Sequence, residues 1–462
     1  MDLIDLTLPL SSDPTELPYA GAARLINCFS EPVAKGKSQW QVMASDGQDA
    51  FVTMPGASSG VRAMLSLSDA DLYVVAGRLL FRVDASGSVS VLGGIASDGM
   101  VTMARNRAAT PQIAVVCDGL YYGIQGGTLT QLSDPDLPPP VSVAAIGGYF
   151  IFFLADGRHF ASGIDDWDVN ALAFATAEAN PDGGVRNIVR QNEMVFFGKN
   201  SIEFWVVSGD DPYPLSRSTW RDNIGCIAPD SVAQVDQTLA FVAHDKTVRI
   251  LDGYDPAVIS TYAVARAIED LSDPSTIVGF SWQRRQHTFY AISCSQWTWV
   301  YDLTTKLWHE RKTYGSNRWN VAKTLPWNKQ IVCGAADAGV LTTLNHNTHT
   351  ENGADMVMIM QTPPVEAFPL RVLHHRLDLD IVPGTAGVEI TDPVVMIDWA
   401  DDDGANFGTQ IFETLGRTGQ AMNKIRVHRL GSAFSRTYRI SMSTAVKRCV
   451  LGAKLLSSRA GT

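Results

Sequence analysis

Between about residues 61 and 345 the chain repeats one short theme: an apolar run, a Gly, Asp or Asn turn, a second apolar run, then a polar loop. Seven units can be read, at 72–91, 113–132, 141–163, 185–208, 232–251, 278–308 and 321–344. Their turns fall at Gly77, Asp118-Gly119, Asp156-Gly157, Lys199-Asn200, Asp245-Lys246, Ser295 and Asp337-Ala338-Gly339. A recurrence of roughly 40 to 50 residues is the spacing of a four-stranded blade in a β-propeller. Strands such as Leu72-Tyr73-Val74-Val75-Ala76 and Phe150-Ile151-Phe152-Phe153-Leu154 are apolar on both faces. In antiparallel structure that requires sheets stacked on sheets, which neighbouring blades provide and a large β-sandwich would also provide.

Helical periodicity is scarce. Its best instance is 260–271, where Val264, Ala267, Ile268 and Leu271 fall at i, i+3, i+4 and i+7 before Asp273-Pro274 stops the run. From residue 346 the texture changes: a polar, turn-rich stretch and Pro363-Pro364 precede runs with a period of two, such as Arg376-Leu377-Asp378-Leu379-Asp380-Ile381 and Thr437-Tyr438-Arg439-Ile440-Ser441-Met442. These read as half-exposed antiparallel strands of a small sandwich. The expected fold is all-β, a β-propeller of six or seven blades followed by a C-terminal β-sandwich. The expected domains are an N-terminal arm with a closing strand at 1–60, the propeller at 61–345 and the sandwich at 346–462.

The chain has 37 Lys+Arg against 48 Asp+Glu, a net charge of −11, which argues against a protein that grips nucleic acid over its whole surface. No run approaches the roughly 18 consecutive apolar residues of a membrane span. The first residues, Met1-Asp2-Leu3-Ile4-Asp5, lack the basic and apolar regions of a signal peptide, so folding in a cytosol is expected. Six cysteines (Cys28, Cys117, Cys226, Cys294, Cys333, Cys449) lie far apart and none is in a Cys-x-x-Cys pair, which reads as free buried thiols.

Motifs of chemistry are weak. Gly56-Ala57-Ser58-Ser59-Gly60 matches the nucleophile pattern Gly-x-Ser-x-Gly, but no helix follows it. Gly36-Lys37-Ser38 lacks the first glycine of a phosphate loop, since Glu31 stands there. His346, His349, His374 and His375 have no ligand at zinc-like spacing beside them, and Asp401-Asp402-Asp403-Gly404 reads as a hairpin tip that could also hold a hard cation. Trp282, Trp297, Trp299, Trp308, Trp319 and Trp327 crowd one region, as blade core or as a platform for sugars. No catalytic residue, metal ligand or cofactor is expected.

Charge is unevenly distributed. From residue 417 to the end there are ten basic residues and no acidic one, against a charge of −21 on the first 416 residues. Arg417, Lys424, Arg426, Arg429, Arg436, Arg439, Lys447 and Arg448 are therefore the candidate contact residues, either for an acidic neighbouring subunit in a head-to-tail ring or as a solvated strand face.

Ordered segments along most of the chain resemble one family, the tail hub or packaged-DNA stabilisation proteins of short-tailed bacteriophages, which are compared with tail nozzles. The segments are Arg24-Leu25-Ile26-Asn27-Cys28-Phe29-Ser30-Glu31, Pro55-Gly56, Pro181-Asp182-Gly183-Gly184-Val185, Phe197-Gly198-Lys199-Asn200-Ser201-Ile202-Glu203-Phe204-Trp205, Gly225-Cys226, and Tyr438-Arg439-Ile440 near the end. The resemblance implies a non-enzymatic component of the virion tail, made and assembled in the bacterial cytoplasm. It implies a homohexameric ring below the head-completion ring, bearing the tail tip or needle and spikes or fibres. Packaged double-stranded DNA would pass through without sequence-specific binding. Two rival readings are a propeller glycosidase or depolymerase acting on surface polysaccharide, and a cellular propeller adaptor.

Overall fold

The computed structural model describes residues 2–14, 23–34, 39–177, 182–382, 392–416 and 424–459. Seven four-stranded antiparallel units follow one another around a ring: 61–94, 101–132, 140–176, 184–222, 233–258, 278–310, and 323–345 completed by Gly47–Thr53. The first strand of each unit is innermost, and the last unit meets the first where Lys323–Trp327 packs on Val61–Ser68. The ring is closed by a strand from the other end of the propeller sequence, since Gly47–Thr53 runs antiparallel to Val340–Asn345.

Between the units lie seven separate apolar cores, and an eighth fills the sandwich. The doubly apolar strands are explained by this arrangement. Along Asp71–Ala76, Tyr73 and Val75 enter the core shared with the second blade, whereas Leu72, Val74 and Ala76 enter the core shared with the seventh. Successive residues of a strand point to opposite faces, so a strand sandwiched between two blades must be apolar at every position. Glycines permit the close approach of neighbouring backbones: a Cβ on Gly184 would collide with the Leu154 carbonyl, and one on Gly279 with that of Ser231. The helix forms at Tyr262–Glu269, between the fifth and sixth blades. The Thr261 hydroxyl accepts from the Val264 amide at its N-cap, and Val264 and Ile268 enter the local core.

The sandwich is built from both ends of the chain. One sheet runs in the order Cys28–Pro32, Trp40–Ala44, Cys449–Arg459, Val372–Ile381, Ile425–His428, and Asp2–Asp5 also pairs with Cys449–Arg459. The other contains Arg24–Ile26, Met358–Gln361, Ser435–Met442, Val394–Ala400 and Ile411–Thr414. That second sheet is continuous with the sixth blade, because Ile26 pairs in parallel with Glu310. Thus the described residues of 1–60, read from sequence as an arm and closing strand, form four sandwich strands and the closing strand of the seventh blade.

Candidate interaction surface and the junction behind it

The eight candidate basic residues separate into an exposed edge and an interior. Ile425–His428 is an edge strand of the first sheet, with Ile425 and Val427 facing the core and Arg426 and His428 facing out. Lys424 and Arg429 flank it, both exposed. Strand register sets Arg426 opposite Asp378, Asp378 opposite Lys454, and Lys454 opposite Asp5. The row carries ion pairs of 3.2 Å between Arg426 and Asp378 and 3.2 Å between Lys454 and Asp5. Basic residues of the last segment therefore alternate with acids from other strands.

Arg436 and Arg448 turn inward, and Arg439 is half-buried. Arg436 is 1% exposed, grips both carboxylate oxygens of Asp401, and lies 5.1 Å from the Trp399 ring. Arg439 pairs with Asp398 across adjacent strands and stacks 3.9 Å from the Phe407 ring. Arg448, 2% exposed, donates to the carbonyls of Met356, Met442 and His349. Arg436 and Arg448 tie loops to the sandwich from within, so their place is inside the subunit, whereas Arg439, its side chain 29% exposed, is half-buried over Asp398. Lys447 is at the surface, and Arg417 lies outside the described residues, as do Gly36-Lys37-Ser38 and Pro181.

The division of charge is also changed by the fold. Residues 346–462 hold 12 basic and 12 acidic side chains, and 61–345 hold 22 basic and 29 acidic. The sandwich segment is neutral and the propeller carries −7, so the run of positive charge in sequence is not a positive domain in space. Positions were visible in the sequence, but the register that sets each base against an acid was not.

Behind this surface, propeller and sandwich meet through buried groups. Phe29, from the sandwich, inserts among His287, Phe289 and His309 of the sixth blade, with ring centroids 5.2, 5.3 and 5.9 Å away. The Arg284 guanidinium lies over the same ring and sits 2.8 Å from Asp46. Asn27, held at φ 55°, donates to the carbonyls of Lys312 and Val357 and accepts from the Lys312 amide. Arg24 pairs with Glu310 at 2.5 Å. Arg311 stacks 3.7 Å from the Trp319 ring and donates to the Asp46 carbonyl oxygen. A hydrogen bond to Asp302 raises the pKa of His287 against the pull of burial, whereas burial lowers His309 to about 3. The sequence segment 24–31 carried this junction, and its role was hidden because its partners lie near residue 300.

The other motifs have structural roles. Trp282, Trp299, Trp308, Trp319 and Trp327 are buried and Trp297 packs against a core, so the cluster offers no platform. The Asp401-Asp402-Asp403 turn is occupied by the protein's own donors: Arg436 on Asp401, the Ala405 and Asn406 amides on Asp402, and Ser435 on Asp403. Gly60 packs against the Ala336 carbonyl. Among the described residues no group of three or more His, Cys, Asp or Glu side chains could hold a metal, and no helix is long and apolar enough to cross a membrane. All six cysteines are buried and free.

Comparison with known proteins gives two family matches. Residues 19–349 match the family described as "Bacteriophage P22 Gp10, beta-propeller", and residues 358–456 the one described as "Bacteriophage P22 Gp10, beta-sandwich". No curated protein matches. Similar solved structures include the WD40 propeller domain of Doa1 (11% identity, TM-score 0.42, covering 65% of this chain and 97% of that one) and U3-55K (10%, 0.45, 64% and 98%). The computationally designed Ika8 protein is also similar (14%, 0.38, 64% and 100%).

Proposed function

The chain belongs to the bacteriophage P22 Gp10 family, a family of virion structural proteins, and from that premise we propose that it is a tail hub. In this reading it is a homo-oligomer, a hexamer by family resemblance, whose ring extends the DNA channel below the head-completion ring, retains packaged DNA and supports ejection. It is made in the host cytoplasm and carries the tail tip and spikes or fibres.

One observation supports this reading above the others: both family matches fall on one chain whose sixth-blade sheet runs unbroken into the sandwich. A ring component needs two broad surfaces held in fixed relation, and a shared sheet holds them so. The acidic excess of the propeller suits a conduit, because a wall that repels phosphate lets DNA slide where a basic wall would bind it. The exposed edge at Lys424, Arg426 and Arg429 is the surface offered to a neighbouring subunit's acids.

The test is the mass and image of the assembled particle. A ring of six times 50.1 kDa is expected. A chain that stays monomeric at every concentration and joins no other tail component overturns the reading, and a channel face dominated by Lys and Arg overturns the sliding argument. A glycosidase needs two carboxylates about 5 to 10 Å apart in one cavity. Of the described residues lining the propeller's central cavity, Asp230 is the one carboxylate, and in the sandwich cavity lined by Asp5, Asp378 and Asp380 the first two are held in ion pairs with Lys454 and Arg426. No observation favours that reading, nor an adaptor.

A further inference from the structure

The innermost strands of the propeller enclose a cavity of about 680 Å³ whose lining is opposite in sign to the rest of the domain. Arg62, Arg105, Arg186 and Lys323 face it with one carboxylate, Asp230. Arg105 is exposed at the far end of its innermost strand and bonds the Leu67 carbonyl, so it stands apart; the other three cations against one acid leave an excess of two positive charges inside a propeller whose net charge is −7. Arg62, Arg186 and Lys323 come from the first, fourth and seventh blades, each near the start of its innermost strand, and Asp230 sits just before the innermost strand of the fifth. They therefore lie at one end of the cavity.

The hydrogen bonds there do not neutralise this charge. Lys323 Nζ is 2.5 Å from Asp230 Oδ1, and Arg186 Nη1 is 3.4 Å from the same oxygen. Arg186 Nη1 also donates to the Pro229 carbonyl at 2.8 Å, while its buried Nε has no hydrogen-bond partner. Arg62 donates to the carbonyls of Gly77, Ser97 and Gly99 and to Cys117 Sγ, none of them charged. A buried orphan donor calls for an explanation, and clustered cations repel one another unless an anion joins them. Water would satisfy the donor but leave the charge. An oxyanion does both, because its oxygens accept several charge-assisted bonds from guanidinium and ammonium groups.

We propose that the central cavity of the propeller is a binding site for a small phosphate-like oxyanion, held chiefly by Arg186 and Lys323, with Asp230 competing for the same donors. The site is independent of the hub reading, since it needs only one folded chain.

Titration of the full chain with inorganic phosphate in chloride buffer at pH 7, followed by calorimetry, tests it. One saturable site per chain is expected. Arg186→Gln should weaken binding by about tenfold, the worth of one good charge-assisted bond. Asp230→Asn should tighten it, because removing the competing carboxylate frees both cations. This second variant keeps the test decisive if the first fails to fold. Absence of saturable binding in the wild-type chain overturns the proposal, as does binding that neither substitution changes.

Discussion

Propeller and sandwich are both antiparallel and both apolar inside, yet they are assembled by opposite logic. Within each of the first six blades every strand pairs with one close by in sequence, as in Val115 with Tyr122 or Phe196 with Glu203. In the sandwich Asp2 pairs with Ser457 and Val42 with Val450. Local pairing has a small loop-closure cost and nucleates anywhere around the ring, whereas the sandwich must bring the two ends of the chain together before its core can form. The junction at Phe29 joins a self-sufficient unit to a dependent one.

The largest test of this contrast is removal of residues 1–44. Four sandwich strands disappear while Gly47–Thr53 remains to close the seventh blade. The expected outcome is loss of the sandwich's share of the unfolding enthalpy in calorimetry with the propeller's retained. Loss of both would show that the propeller depends on its partner.

Next in size is Phe29→Ala, which empties the space among His287, Phe289 and His309. Truncating a buried phenylalanine costs about 3 to 5 kcal/mol. Because this one bridges two units, a single unfolding transition should split into two. A uniform fall in one transition would mean that the shared sheet alone couples them.

The contrast also explains what could be read in advance. Blades repeat, their strands are doubly apolar, and their turns carry Gly, Asp or Asn, so local pattern sufficed to find seven units. The roles of Arg24, Asn27 and Phe29 required partners some 280 residues away. The same holds for charge. Arg436 and Arg439 look alike as surface bases in a period-two strand, and only the fold shows Arg436 to be buried against Asp401 and Arg439 to be half-buried against Asp398. The cavity cations were invisible for a related reason: they stand on separate strands far apart in sequence, and only ring closure gathers them.

Acid should stress the two regions differently. His159, between the third and fourth blades, is pushed to about 3 by burial, as is His309 at the junction. A histidine kept neutral in the fold contributes stability that is complete above its unfolded pKa of about 6.5. That contribution falls by about 1.4 kcal/mol per pH unit below it for each such group. His287 has the opposite sign: its pKa is raised, so its contribution is full below about 6.5 and is lost as pH rises through the folded value. His287→Gln should therefore leave stability at pH 8 nearly unchanged and reduce it at pH 6. Urea unfolding at the two pH values measures the difference, and an equal loss at both would show that the Asp302 contact acts only through geometry.

The smallest effect on folding belongs to the residue on which the assembly argument most depends. Arg426 is 46% exposed and its pair with Asp378 is a surface one, worth less than about 1 kcal/mol. Arg426→Glu should leave the monomer's unfolding midpoint almost where it was. Charged side chains on an edge strand also serve to keep that edge from pairing with other chains, so exposure alone does not separate contact from protection. Assembly does separate them. If Lys424 and Arg426 meet a neighbour's acids, the reversal should weaken ring formation measured by sedimentation and flatten its dependence on salt. If they guard the edge, ring formation should be unchanged.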